Sequence, residues 1–169
     1  EKVVIQIING IKDKYDCYYI SESGSIDLYL KENKIKHIIT EKRLDRSELK
    51  IIFKNEKPDI VIATDYRASV VMASIKEKYT LISHLHNNPS WIKSINVNSI
   101  VFAISALKFD KIFIVSESII NEFVFKKMIK NKTFLVSNPL SRKEILEEDK
   151  EYTTDSYDEE IDKPDELLE

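Results

Sequence analysis

The sequence predicts an α/β protein with a parallel sheet that carries helices on both faces. Along the 169 residues, short apolar runs alternate with amphipathic segments of about ten residues, which is typical of strand–helix–strand units. Residues 60–63 and 111–115 are almost continuously apolar, as strands buried on both faces are. No apolar run reaches the roughly 18 residues that a membrane span needs.

Each element follows from the spacing of its apolar residues. Strands are predicted at residues 16–21, 35–40, 60–63, 80–83, 111–115 and 133–136. Helices are predicted at residues 3–13, 25–33, 46–55, 66–76, 100–109 and 116–130, with a polar loop at residues 90–98. The chain opens with a helix, whereas such a sheet normally opens with a strand and a glycine-containing turn. The first strand is therefore missing from the pattern, and no Gly-x-Gly-x-x-Gly occurs.

Charge divides the chain into two regions, which we expect to be a folded domain at residues 1–143 and a linker or tail at residues 144–169. Residues 1–143 carry 24 Lys/Arg and 16 Asp/Glu, whereas residues 144–169 carry 2 lysines and 13 acids. The basic body favours phosphate-bearing ligands or anionic lipid. Its lysines are spread out rather than clustered with aromatic residues, which argues against nucleic acid as a partner. The acidic segment lacks periodic apolar residues and is predicted to be a mobile linker or tail.

Polar side chains follow two neighbouring strands of the predicted sheet. Thr64 and Asp65 come after the strand at residues 60–63, and His84, His86 and Asn87 end the next one. Ligands of open parallel sheets bind in the crevice outside the carboxyl ends of the strands. This edge of the sheet is therefore the predicted site. No Cys or carboxylate recurs there at ligand spacing, so no metal is expected.

Several stretches, in this order, resemble the N-terminal domain of the retaining glycosyltransferases of family four. The similar stretches are the helix at residues 1–10, KPDIV at 57–61, ISHLHN at 82–87, FIVSE at 113–117 and VSNP at 136–139. The resemblance covers residues 1–143 and implies a Rossmann-like domain, one of the two that form the GT-B fold. The family's first strand would lie upstream of Glu1, and its donor-binding second domain would lie downstream of Glu169. The chain thus resembles the acceptor-side half of such an enzyme.

The resemblance also implies roles for individual residues. His86 is implied to lie at the cleft as the catalytic residue, where a neutral imidazole can hydrogen-bond a sugar hydroxyl; the alternative is a histidine that only ends a strand. His84 is interpreted as a satisfied core histidine. The implied acceptor-binding residues are Asp65, Arg67, His86, Asn87 and Trp91, and the donor-facing ones are Ser116, Glu117 and Asn138.

For each of these residues, a purely structural role is also possible. Asp65 is equally well placed to cap a helix, and Arg67 to be a solvated residue of the first helical turn. Asn87 can hold its own turn. Trp91 either stacks on a sugar or anchors its loop. Ser116 can cap the following helix and still leave backbone N–H groups free for an anion.

The leading interpretation is the N-terminal half of a glycosyltransferase that serves a bacterial cell-surface polysaccharide. The implied partners are a nucleoside-diphosphate-sugar donor, a sugar or lipid-linked acceptor and a GT-B C-terminal domain, with no cofactor. The expected location is the cytoplasm, compatible with peripheral contact at the inner face of the membrane. The alternatives are a non-catalytic partner subunit and a flavodoxin-like binding domain.

Overall fold

The computed structural model describes residues 2–136. Its seven helices are α1 (Lys2–Ile11), α2 (Ile26–Glu32), α3 (Arg46–Glu56), α4 (Tyr66–Ser74), α5 (Val97–Ala106), α6 (Glu117–Glu122) and α7 (Lys126–Ile129). The strands of this part of the chain are β1 (Tyr18–Ser21), β2 (Lys36–Ile39), β3 (Ile60–Thr64), β4 (Thr80–Leu85), β5 (Lys111–Ile114) and β6 (Thr133–Leu135). Short 3-10 helices occupy Ser90–Lys93 and Lys130–Lys132. The predicted tail, residues 144–169, and its boundary lie outside the described residues.

All the strand pairs are parallel, as the alternation of strands and helices requires. The strands form two sheets rather than the single sheet that the sequence suggested: β1 pairs with β2, and β3 to β6 pair in sequence order. In the larger sheet, Thr64 of β3 lies opposite His84 of β4, and His84 lies opposite Phe113 of β5. The α/β class with parallel strands and flanking helices is confirmed.

The larger core lies between the four-stranded sheet and the helices α3 to α6. Leu81 and Leu85 of β4, Ile112 of β5 and Phe102 of α5 belong to this core, and Phe102 is 1% exposed. A smaller apolar cluster joins α1, α2 and the segment before β2; it contains Ile5, Ile8, Ile26, Leu30 and Ile35. Each buried aliphatic side chain contributes about 1.5–3 kcal/mol, so the larger cluster stabilises the sheet that carries the predicted site.

The first long strand of the larger sheet is less buried than its sequence predicts. Ile60 is 51% exposed and Ile62 is 41% exposed, although both belong to an apolar run. β3 is the edge strand of the four-stranded sheet, and its burial alternates: Ile60 and Ile62 share one face, whereas Ala63, on the opposite face, is 3% exposed. The expectation that residues 60–63 are buried on both faces is therefore wrong for this strand.

The predicted helix at residues 116–130 is broken in two. Phe123 has an extended backbone conformation (φ −71°, ψ 122°) and separates α6 from α7. Two long-range contacts favour this break. The Phe123 side chain is 2% exposed in the larger core, and the Val124 N–H donates to the Ile92 carbonyl oxygen at 2.9 Å. Met128 of α7 is 44% exposed.

Asp110 connects the beginnings of β4 and β5. Its Oδ2 accepts from the Leu81 N–H at 2.7 Å and from Lys76 Nζ at 2.6 Å, and its own N–H donates to the Leu81 carbonyl oxygen at 2.9 Å. The hydrogen bond from Lys76 is the main reason why the pKa of Asp110 lies below its usual value. The carboxylate thus holds the two central strands in register.

Lys57 ends α3 in the left-handed conformation (φ 47°, ψ 57°), which costs an L-residue about 1 kcal/mol. We expect Lys57→Gly to raise the free energy of unfolding by about 0.5–1 kcal/mol, measured by urea denaturation. The matched control is Lys54→Gly, inside the last turn of the same helix, which should lower it by a similar amount. Destabilisation by both substitutions would contradict the left-handed assignment.

Candidate functional site

The candidate site lies at the carboxyl ends of β3 and β4, where Asp65 follows one strand and His86 the other. The two strand ends are joined by a backbone hydrogen bond of 2.9 Å from the Asp65 N–H to the His84 carbonyl oxygen. This bond continues the parallel ladder by one residue beyond Thr64. The predicted residues of the two segments are thereby brought to the same edge of the sheet.

The backbone of Asp65 is strained. Its dihedral angles (φ 84°, ψ 169°) fall in a region used almost only by glycine, which costs a side-chain-bearing residue about 1–3 kcal/mol. Three further hydrogen bonds hold this conformation. The Asp65 Oδ1 accepts from the Ala68 N–H at 2.8 Å, and the Asp65 carbonyl oxygen accepts from the Ser69 N–H at 3.1 Å and from Ser69 Oγ at 2.6 Å. Asp65 therefore does cap α4, and backbone strain is stored at the predicted site.

Two buried serines connect this helix cap to the sheet. Ser69 Oγ and Ser83 Oγ are 2.7 Å apart, and both side chains are fully buried. A carbonyl oxygen can only accept, so the single hydroxyl proton of Ser69 goes to Asp65 and Ser83 donates to Ser69. The hydrogen bonds thus lead from Ser83 of β4 through Ser69 of α4 to the carbonyl oxygen of Asp65. Removing the Ser69 hydroxyl would leave the buried Ser83 Oγ without this partner, whereas removing the Ser83 hydroxyl leaves Ser69 bonded to Asp65.

A cleft of about 480 Å³ opens beside Asp65. Its lining is mixed: the carboxylate of Asp65, the guanidinium of Arg67 and the amides of Asn87 and Asn98 supply polar groups. The apolar part of the lining consists of Tyr66, Val70, Val71, Pro89, Trp91, Val101 and Phe102. A small number of polar groups over an apolar floor is typical of a small-molecule site.

Three aromatic rings form the floor of the cleft. The Tyr66 ring meets Trp91 edge to face with 4.9 Å between centroids, and it meets Phe102 at 4.7 Å. Burial raises the pKa of Tyr66 far above its usual value, so the phenol stays neutral. The Trp91 carbonyl oxygen accepts from Asn96 Nδ2 at 2.7 Å, which ties the 3-10 helix to the cap of α5. Trp91 therefore anchors its segment, and part of its surface also faces the cleft.

The two histidines of β4 differ in burial. His84 is 2% exposed, and neither of its ring nitrogens has a hydrogen-bond partner within residues 2–136, so it is not the satisfied core histidine that the sequence suggested. Burial, together with the neighbouring His86, lowers the pKa of His84 to about 4. His86 is half-buried, with its ring centroid 4.1 Å from that of His84. Burial also lowers the pKa of His86, so both imidazoles are neutral near pH 7.

The other predicted residues have different places. Asp65, Arg67, Asn87 and Trp91 line the cleft, whereas His86 is not one of its lining residues. Ser116 and Glu117 are exposed at the start of α6, where Ser116 Oγ accepts from the Ser118 N–H at 3.3 Å. They do not line the cleft either. Asn138 lies outside the described residues.

Sequence reasoning missed the apolar side of the cleft and one polar residue, Asn98. The apolar residues missed are Tyr66, Val70, Val71, Pro89, Val101 and Phe102. They come from three separate segments, and their apolar character alone indicated core. The Asn96 capping box at the start of α5 was a usable signal, because it marks where that helix turns toward the loop with Trp91.

The described residues contain no group of three His, Cys, Asp or Glu side chains that could hold a metal ion. In the same part of the chain, no helix is long and apolar enough to cross a membrane. Arg67 is exposed and is one of the residues that line the cleft. The cleft can therefore offer both a cation and neutral hydrogen-bonding groups to a ligand.

Comparison with known proteins finds solved structures with a similar fold. No protein-family model and no curated protein matches the chain. Two crystal structures of HepE from Anabaena do match, one in complex with UDP and glucose and one with UDP-glucose. The TM-scores are 0.66 and 0.67 at 18% identity, over 90% and 92% of this chain. The chain spans 46% of the length of HepE.

These matches define the class. The chain has a Rossmann-like α/β fold of the kind found in glycosyltransferases. The chain shares the fold of about half of HepE, whose solved complexes contain UDP, glucose and UDP-glucose.

Strain at Asp65 has a measurable consequence. Asp65→Ala loses the cap and keeps the strain, whereas Asp65→Gly loses the cap and removes the strain. At an unstrained cap, a Gly variant and an Ala variant already differ in their free energy of unfolding. At Asp65 we expect this difference to favour Gly by about a further 1–3 kcal/mol, because only Gly removes the strain. Asp45, which caps α3 with φ −66°, supplies that reference pair. Equal Gly–Ala differences at the two positions, measured by urea denaturation, would disprove the strain.

The buried His84 predicts a pH-dependent stability. Its folded pKa of about 4 lies below the unfolded value of 6.5, so the stabilising contribution is complete above pH 6.5 and is lost as the pH falls toward 4. The loss amounts to about 3 kcal/mol. His84→Phe removes this titration and the unpartnered nitrogens, so its free energy of unfolding should fall less between pH 7 and pH 4.5. Equal losses in the two proteins would show that other groups cause the acid sensitivity.

Proposed function

We propose that this chain is the acceptor-binding half of a glycosyltransferase that uses a nucleoside-diphosphate sugar. The observation that carries the proposal is the cleft at the carboxyl ends of β3 and β4, in a fold shared with a protein that binds UDP-glucose. Ligand sites of open parallel sheets occur at this edge. The resemblance of residues 57–61 and 82–87 is the basis for three finer parts of this proposal. These are membership of family four, transfer with retention of configuration, and a role in bacterial surface-polysaccharide synthesis.

The lining of the cleft suits a saccharide. Sugars present hydroxyl groups around their edge and a C–H face, and the cleft offers polar groups beside an aromatic floor. Asn87 can both donate and accept, Asp65 can accept and Arg67 can only donate. A carboxylate and a guanidinium together select among hydroxyl orientations. Arg67 could also take an anionic substituent of the acceptor.

His86 is proposed to act at the border of this cleft. Its imidazole is neutral near pH 7, because burial lowers its pKa, so one ring nitrogen donates and the other accepts. A hydroxyl of the transferring sugar or of the acceptor is the proposed partner. The donor nucleotide and a second domain would complete the cleft, with Ser116, Glu117 and Asn138 facing the donor. No cofactor or metal is part of this proposal.

Saccharide binding by the isolated chain tests the cleft. We expect neutral monosaccharides such as glucose and N-acetylglucosamine to shift the backbone NMR signals of Arg67, Asn87 and Trp91 in a saturable manner. Asn87→Ala and Arg67→Ala should each weaken this binding about tenfold, because each removes one or two hydrogen bonds. Arg46→Ala is the matched control, an exposed arginine at the start of α3 that lies outside the cleft.

Two outcomes would contradict the proposal. If saccharides bind equally to the Arg67→Ala, Asn87→Ala and Arg46→Ala variants, the cleft is not the sugar site. If the chain binds flavin mononucleotide and no saccharide, the flavodoxin-like alternative replaces it.

Substitution of His86 tests its role in transfer. In the active enzyme that contains this chain, His86→Ala should lower kcat about 10- to 100-fold, the cost of losing one hydrogen bond in the transition state. Its Tm should change little, because the side chain is only half-buried at a strand end. A variant that melts much earlier and keeps normal turnover while folded would make His86 structural.

A further inference from the structure

The outer face of α5 is apolar, although it does not pack into the core. Its inner face, with Phe102, Ala103 and Ala106, is almost completely buried. On the outer face, Val97 is 75% exposed and Leu107, just after the helix, is 64% exposed. The exposed residues recur at helical spacing and form one stripe: Ile95, Val97, Ile100, Val101, Ile104 and Leu107. A contiguous exposed surface of this kind marks an interaction site.

Cations surround this apolar stripe. Residues 90–109 contain two lysines and no Asp or Glu. Lys108 is exposed at the end of the stripe, and α7, which packs against α5, carries the exposed Lys126 and Lys127. Arg67 is exposed on α4, the other neighbour of α5. Acids of the adjoining segments are engaged: Lys93 Nζ lies 3.3 Å from the Glu122 carboxylate, Asp110 pairs with Lys76, and Asp65 caps α4.

We propose that the apolar stripe of α5 docks on an anionic membrane surface, with its side chains among the acyl chains and the surrounding cations at the headgroups. The arrangement matches that of interfacial helices, in which buried apolar area and attraction to anionic lipid act together. A second copy of the chain fits this face less well. Symmetric pairing of two stripes would bring Lys108, Lys126 and Lys127 toward the same groups of the partner copy, which is repulsive.

This surface is independent of sugar transfer and extends beyond the proposed function. Val101 belongs both to the stripe and to the lining of the cleft, and Asn98 lines the cleft one residue after Val97. A docked chain therefore places the mouth of the cleft at the headgroup level. A substrate anchored in the bilayer would reach Asp65 and Arg67 without leaving the membrane.

Vesicle flotation of the full 169-residue chain tests the proposal. We expect binding to vesicles of phosphatidylcholine with about one-third phosphatidylglycerol, little binding to pure phosphatidylcholine, and release as the salt concentration rises. Ile104→Glu should reduce the bound fraction at least about tenfold. The matched control is Ile51→Glu on α3, because Ile51 is 62% exposed and Ile104 is 60% exposed. Lys108→Glu should also weaken binding, and Lys54→Glu on α3 should change it much less.

Ile104→Ser serves as a second variant if the glutamate lowers the melting temperature, because it removes apolar surface without adding charge. Equal effects of the Ile104 and Ile51 substitutions would overturn the proposal, as would equal binding to neutral and anionic vesicles. A chain that ignores vesicles and forms dimers that Ile104→Glu dissociates would make the stripe a protein interface, which also overturns it.

Discussion

The hydrogen bonds around Asp65 are the constraint on which the site depends. A residue with this φ and ψ would relax if its neighbours allowed it. Four hydrogen bonds prevent relaxation, and they come from β4 and from the first turn of α4. The side chain that follows, Tyr66, is thereby directed into the larger core, and Arg67 is directed to solvent at the cleft. Backbone strain at one residue thus fixes the start of α4 relative to the sheet.

The buried polar groups behind the cleft have opposite consequences for stability. Ser69 and Ser83 satisfy each other, so their burial costs little and connects helix to sheet. His84 lies one residue further along β4 and has no such partner among the described residues. Its burial therefore costs free energy, which the surrounding apolar packing must offset.

The sequence predicted those features that depend on local pattern. Every strand of the described residues was located to within a few positions, because apolar runs and their polar ends are local signals. The cap formed by Asp65 was also foreseeable from its place before a helix. The break at Phe123 was not, because it follows from a backbone contact with Ile92, about thirty residues earlier in the chain.

Features that depend on neighbouring elements escaped sequence analysis for the same reason. Ile60 and Ile62 have the pattern of a buried strand, and their exposure depends on what covers that face of β3 rather than on the residues themselves. The left-handed φ of Asp65 could not be foreseen, since aspartate seldom adopts it. The cleft's aromatic floor joins Tyr66, Trp91 and Phe102 from three segments whose proximity no spacing encodes. The polar members of the cleft, by contrast, follow the strand ends, where parallel sheets place them.

Trp91 is the one tryptophan in the chain, and it lies in the wall of the cleft. Its indole contacts Tyr66 edge to face, so it is partly shielded from water and held in a single environment. Intrinsic emission excited beyond the absorption of the eight tyrosines therefore originates from this one location. A change in the wavelength or quenching of that emission therefore reports on the surroundings of Trp91, so the chain carries a label-free optical signal at the wall of its own cleft.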